Sequence, residues 1–122
     1  MHLDLHIHTT CSDGTLAPEA VVEQARRAGL HAIAVTDHDT TAGVERATAA
    51  AAPLGLRVIP GTELSCSWNG GEIHLLAYGF AVGHPSLDAV TARMGTMRRE
   101  RVGRIVERLR GLGVSIDVED VS

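Results

Sequence analysis

The chain has 122 residues, 44% of them apolar, and its eleven basic residues, all arginine, face fifteen acids for a formal charge of −4. That length carries one domain with a modest core. The composition excludes a disordered chain and a generally basic nucleic-acid binder; with aromatics at 2%, it also excludes a base-stacking platform for single strands.

Residues 2–8 alternate with period two, which predicts a strand. Leu3, Leu5 and Ile7 share one face, while Asp4, His6 and His8 share the other. An acid and two imidazoles are costly to bury unless something satisfies them. Charges this early are those of a strand and not of a secretory leader. Residues 9–17 read as a loop containing Ser12, Asp13 and Gly14. A helix is expected over 18–28, with Pro18 in its first turn, Gly29 past its end and Ala17 as a poor N-cap.

Residues 31–36, H-A-I-A-V-T, predict a second strand, and D-H-D-T-T follows directly. A second helix is expected over 41–52 with Gly55 as its stop. R-V-I-P-G, 57–61, predicts a third strand ending in T-E-L-S. W-N-G-G, 68–71, signals a turn, after which E-I-H-L-L-A-Y-G-F returns as a strand. This alternation of strand and helix predicts a parallel α/β fold, with the polar residues at the C-terminal strand ends where such folds place their chemistry. Beyond Gly83 the pattern changes to one long helix over 86–111, interrupted in propensity by Gly95 and Gly103. The boundary falls near 82–85 and divides residues 1–82 from 83–122. No apolar run approaches the roughly 20 residues of a membrane span. Cys11 and Cys66, far apart and outside any C-x-x-C, fit a reducing cytoplasm.

Four pieces then line up: D-x-H-x-H at 4–8 with Asp13, T-D-H-D at 36–39, G-x-E at 61–63, and His74 in the next strand. They supply His6, His8, Asp13, His38, Glu63 and His74 as candidate metal ligands. Imidazole mixed with carboxylate suits zinc, manganese or iron better than calcium or magnesium. Two histidines two residues apart on a strand have backbones about 7 Å apart on one face, so their rings can converge on one ion. A carboxylate such as Glu63 can bridge two ions. Simpler roles remain open for some members. Asp37 and His38 suit a helix cap, Asp13 before Gly14 suits a turn, and His74 could be a satisfied core histidine. His2, His31 and His84 match no motif and are expected to be structural or solvated.

D-L-H-I-H-T, S-D-G, T-D-H-D-T-T-A-G, G-T-E-L-S and I-H-L-L-A-Y-G resemble the successive motifs of a PHP (polymerase and histidinol phosphatase) domain. The resemblance spans roughly residues 2–110. Its T-D-H-D-T and S-W-N-G-G-E-I-H forms are similar to the bacterial branch acting on nucleoside 3',5'-bisphosphates and short RNA 5' ends. The resemblance implies the N-terminal part of a distorted (β/α)7 barrel followed by the start of a helical insertion, with two or three divalent ions, manganese first and zinc or iron as alternatives. It implies that His6 and His8 hold one ion, that Glu63 bridges it to a second bound by His74, and that Asp13 and His38 hold a third. Asp4 and Asp37 would orient rings or complete the cluster, and Glu63, His6, His8 and Asp37 would serve catalysis.

The reaction so implied is hydrolysis of phosphate monoesters of a small nucleotide or short oligonucleotide, by hydroxide held between the ions. Neither duplex nucleic acid nor membrane is expected as a partner. A non-catalytic module of a larger polymerase-like protein and a histidinol phosphatase stand as alternatives. The family pattern continues with further ligands, so the chain is expected to be part of a longer protein and inactive alone. Seven arginines fall between 93 and 110. They form either a solvated face with a Glu100–Arg104 pair, or a site where Arg98 and Arg101 reach the cleft and hold a substrate phosphate.

Overall fold

The computed structural model of the protein describes residues 2–121. Its elements run β1 (Leu3–Ile7), α1 (Pro18–Arg27), β2 (Ala32–Val35), α2 (Ala42–Ala51), a 3-10 turn at Ala52–Leu54, β3 (Arg57–Trp68), β4 (Gly71–Tyr78), α3 (Pro85–Gly111) and a second 3-10 turn at Val118–Asp120. The four strands form one curled, half-barrel sheet in the order β1-β2-β3-β4 within a mixed α/β fold. β1, β2 and β3 are parallel.

β2 is buried along its whole length, as its unbroken apolar run requires of a central parallel strand. Val21, Val22 and Ala25 of α1 and Val44, Ala47 and Ala51 of α2 pack with Ile33 and Val35 into one core, with Ile7 and Val58 at its margin. Both helices therefore cover one face of the sheet. Glu19 and Arg46 join α1 to α2 through two contacts of 2.8 Å. Ala17 offers no side-chain cap, as its residue type predicts, and Gly29 and Gly55 end their elements at positive φ.

The third strand departs from expectation. It runs from Arg57 to Trp68, past the predicted end at 61, because T-E-L-S-C-S pairs along its full length with β4. β3 and β4 are antiparallel, so the sheet is not uniformly parallel. Asn69 and Gly70, at φ 49° and 80°, close a two-residue hairpin; positive φ at both positions is what a tight right-twisting hairpin demands. The candidate ligands are accordingly not all at strand ends. Glu63 lies mid-strand in β3 and His74 mid-strand in β4. The sheet curls far enough for the Tyr78 hydroxyl of β4 to donate to the Leu5 carbonyl of β1 at 2.7 Å.

α3 follows Gly83 and is capped by His84, whose Nδ1 accepts from the Ser86 amide. His31 Nδ1 accepts from the His2 amide, so two of the histidines outside the motifs serve the backbone. Among the described residues, no helix is long and apolar enough to cross a membrane.

Candidate metal centre

Between the Asp4–Ile33 and Ile7–Val35 pairs, two residues of β1 oppose one of β2. That bulge kinks β1 as it delivers His6 and His8 to the site. The Thr36 amide and hydroxyl both donate to the Ile7 carbonyl, at 2.8 and 3.2 Å, and fix the two strand ends together. Beyond β2 the ladder with β3 resumes for one rung: the Asp39 amide donates to the Glu63 carbonyl and the Glu63 amide to the Asp37 carbonyl. This rung places His38 beside Glu63.

Six side chains separated by up to 68 positions, from His6 to His74, meet here. Glu63 is 5% exposed. Its Oε2 lies 2.8 Å from His6 Nε2 and 2.9 Å from His8 Nε2, and its Oε1 lies 2.8 Å from His74 Nδ1. Asp13 lies 2.9 Å from His8 Nδ1 and 3.5 Å from His38 Nε2. Three overlapping sets of donors result: His6–His8–Glu63, His8–Asp13–His38 and His38–Glu63–His74, each within 4.8 Å. The overlap differs from the implied assignment, since His8 joins the Asp13–His38 group and His38 joins the Glu63–His74 group.

Neutral hydrogen bonding does not use these donors up. His6 Nε2 and His8 Nε2 sit 3.0 Å apart and compete for the same Glu63 oxygen. Nδ1 of His8 and Nδ1 of His38 are buried and make no hydrogen bond; the short approach of Asp13 to His8 lacks the angle for one. Buried polar atoms ordinarily have partners. Imidazole nitrogens and carboxylate oxygens converging on one space, two of the nitrogens without a partner, are what a divalent ion satisfies, so the donor set fits zinc, manganese or iron.

Charges in the cluster are mutually supportive. Burial pushes the Glu63 carboxyl up, but the hydrogen bond from His6 and the nearby His38 and His74 rings outweigh it, leaving its pKa below the ordinary value. Burial also opposes ionisation of Asp13, yet His38, His8 and local hydrogen bonds hold its pKa low. Hydrogen bonding to Glu72, then to Glu63, raises His74.

A family model described as the PHP domain matches residues 4–94. The chain belongs to the PHP domain family. It is similar to the 5'-3' exoribonuclease Rnm of Escherichia coli, with 41% identity over 87% of this chain and 37% of that protein. It is similar to the 3',5'-nucleoside bisphosphate phosphatase of Chromobacterium violaceum, with 35% identity over 99% of this chain and 40% of that protein. A solved structure from Bifidobacterium adolescentis, whose name describes a metal-dependent phosphoesterase, superposes with a TM-score of 0.84 at 40% identity; the match covers 91% of this chain and 39% of that one. The chain thus spans about 40% of the length of the curated relatives it matches.

Two acids of the PHP motifs have roles other than those expected. Asp37, 1% exposed, has both oxygens engaged: Oδ1 accepts from the Thr9 amide and Ser12 hydroxyl at 2.7 Å, and Oδ2 from the Thr9 hydroxyl at 2.8 Å. Among the described residues it makes no hydrogen bond to an imidazole, and its three contacts hold the loop carrying Asp13. Asp4 accepts from the His6 amide at 3.2 Å and orients backbone, not a ring. Arg98 stands over a cavity of about 430 Å³ lined by Asp13, His38 and His74. Arg101 lines the adjoining cavity instead. The Glu100–Arg104 pair that the solvated-face alternative called for is absent among the described residues.

Asp39 is the residue whose role the sequence left open. At φ 54° it accepts from the Ser65 amide, the Ser65 hydroxyl and Arg98, tying the loop after β2 to β3 and α3. Burial raises its carboxyl, but the Ser65 and Arg98 contacts outweigh this and hold its pKa low. The repeated Asp in D-H-D was the available signal, and it reads equally well as a helix cap.

Proposed function

We propose that the chain supplies the metal-binding core of a phosphoesterase that hydrolyses phosphate monoesters of small nucleotides, either a nucleoside 3',5'-bisphosphate or a short RNA 5' end. The observation that carries this reading is the convergence of four imidazoles and two carboxylates beside a cavity walled by Arg98. Ions held by His6, His8, Asp13, His38, Glu63 and His74 would polarise the phosphoryl oxygens and lower the pKa of the attacking water. Glu63 faces rings on both of its oxygens and so suits a shared ligand. Arg98, anchored by Asp39, presents a cation to a bound phosphate, and Arg101 extends that positive wall toward a second one. Asp37 acts through the loop it fastens.

The relatives named for nucleotide and RNA phosphate chemistry support this substrate class, and manganese is the first candidate ion. Residues 2–82 form the metal-binding portion, and α3 begins a separate helical portion spanning 83–121; residues 1 and 122 of the two expected spans lie outside the described residues. The free thiols of Cys11 and Cys66 fit a reducing cytoplasm. A purely structural module would have no need to keep these six candidate ligands together.

The test has two readouts. Manganese or zinc should raise the melting temperature by binding the native state, and His8→Ala should abolish that rise. In the longest form its gene encodes, the protein should release phosphate from a nucleoside 3',5'-bisphosphate with manganese, and Glu63→Gln should not. A metal-induced shift that survives His8→Ala would place the ion elsewhere. Shifts without phosphate release would support the non-catalytic module.

A further inference from the structure

Each imidazole of the cluster faces a carboxylate. For His6, His8 and His38 that carboxylate is Glu63 or Asp13, itself a candidate ligand. His74 has a further one. Its Nδ1 lies 2.8 Å from Glu63 Oε1, inside the cluster, while its Nε2 lies 3.3 Å from Glu72 Oε1, outside it. Glu72 belongs to none of the three donor sets. Among the described residues it makes no other hydrogen bond or ion pair. Strand register explains the placement. Side chains two apart on a strand share a face, so Glu72 and His74 of β4 stand together, opposite Ser67 and Ser65 of β3.

His74 depends on such a partner more than His8 and His38 do. Their side chains are 20% and 16% exposed and are held by their surroundings; that of His74 is 39% exposed, on the strand at the edge of the sheet. The last torsion of a histidine side chain is broad and roughly two-fold. A half-turn about it would set ring carbons against both carboxylates, so the two contacts together select one orientation. A proton on Nε2 also leaves the Nδ1 lone pair free to face inward. We propose that Glu72 is a positioning residue, which accepts the Nε2 proton of His74 and thereby aims Nδ1 at the space His74 shares with Glu63. A ligating imidazole that gives its other N–H to a carboxylate is both better oriented and more basic. Glu72 acts only through His74 and is not itself a ligand. The proposal rests on the metal-binding part of the phosphoesterase reading and extends it to a residue outside the six candidate ligands.

The experiment measures zinc affinity by chelator competition, and melting temperature, on the longest form of the protein its gene encodes. Glu72→Ala should weaken zinc binding by about 10–100-fold. It should leave the metal-free melting temperature unchanged, because Glu72 is exposed and His74 is its one partner among the described residues. Glu72→Gln, whose amide oxygen can still accept the Nε2 proton, should recover most of the lost affinity. In a His74→Ala background, Glu72→Ala should have no further effect. Nitrogen NMR of the zinc-loaded wild type should show a slowly exchanging proton on His74 Nε2, and Glu72→Ala should lose it. Unchanged affinity in Glu72→Ala, an equal loss in Glu72→Gln, or a loss that persists in full without His74 would overturn the proposal. Zinc binding that is abolished by His8→Ala but indifferent to Glu72→Ala would remove the role of Glu72 and leave the metal-binding reading intact. A wild type that binds no zinc would remove both.

Discussion

Asp37 shows how an ionisable side chain can be buried at this site without a cation. Three donors engage both of its oxygens, and hydrogen bonds to a charged acceptor are stronger than neutral ones. Asp37→Asn would turn an amide NH2 toward donors that have no acceptor to replace the lost oxygen. Urea denaturation should show a loss of about 1–3 kcal/mol. Gly43 belongs to the same arrangement, because a Cβ there would sit 2.5 Å from Asp37 Oδ2. Gly43→Ala should therefore displace the carboxylate and weaken metal-induced stabilisation, although Gly43 is no ligand. Thermal shifts with and without manganese separate that outcome from a simple loss of helix packing.

The two helices and the hairpin make different demands at the scale of elements. Ile33 is fully buried beneath α1 and α2, and Ile33→Ala should cost about 2–5 kcal/mol. Gly70→Val should cost about 1–2 kcal/mol through its left-handed conformation alone, without touching the core. The Glu19–Arg46 contact between α1 and α2 has a pH signature. The hydrogen bond from Arg46 is the largest influence on Glu19 and holds its carboxyl below the ordinary 4.5. Since the folded pKa is the lower one, the unfolded chain takes up the proton first. The stabilisation is complete above the ordinary value and fades as pH falls through the folded one. A double-mutant cycle with Glu19→Gln and Arg46→Met should give a small favourable coupling near about pH 7 and none once Glu19 is protonated. The coupling stays small because both side chains are half-exposed.

Over the whole molecule, the sheet closes one face and leaves much of the outer strands open. Leu3 and Leu5 of β1 and Ile73 and Leu75 of β4 are between 40% and 56% exposed. Edge strands present unpaired backbone groups to solvent, and four of the six candidate ligands lie on or immediately after these outer strands or in the loop that follows β1. The 122-residue chain by itself is therefore expected to bind manganese, yet to release phosphate far more slowly than a longer form of the protein. Positioning and charge stabilisation supply most of the rate in such chemistry. A colorimetric phosphate assay on both forms checks this, and equal rates would show that the described ligands suffice.

Local patterns in the sequence determined the order of strands and helices, their glycine stops and the Asn69–Gly70 turn, because periodicity and backbone sterics are properties of neighbouring residues. The identities of the clustered side chains were legible for a related reason: imidazoles and acids spaced by two on a strand have few inexpensive uses. Tertiary structure decided the rest. The length of β3 depends on a partner strand that only pairing reveals. The overlap of the three ligand sets depends on how far the sheet curls. Asp37 and Asp39 carry the same residue type two positions apart, yet one fastens the loop of Thr9 and Ser12 while the other holds Ser65 and Arg98. No local rule separates them, because each role is set by which distant donors the fold brings within hydrogen-bonding reach.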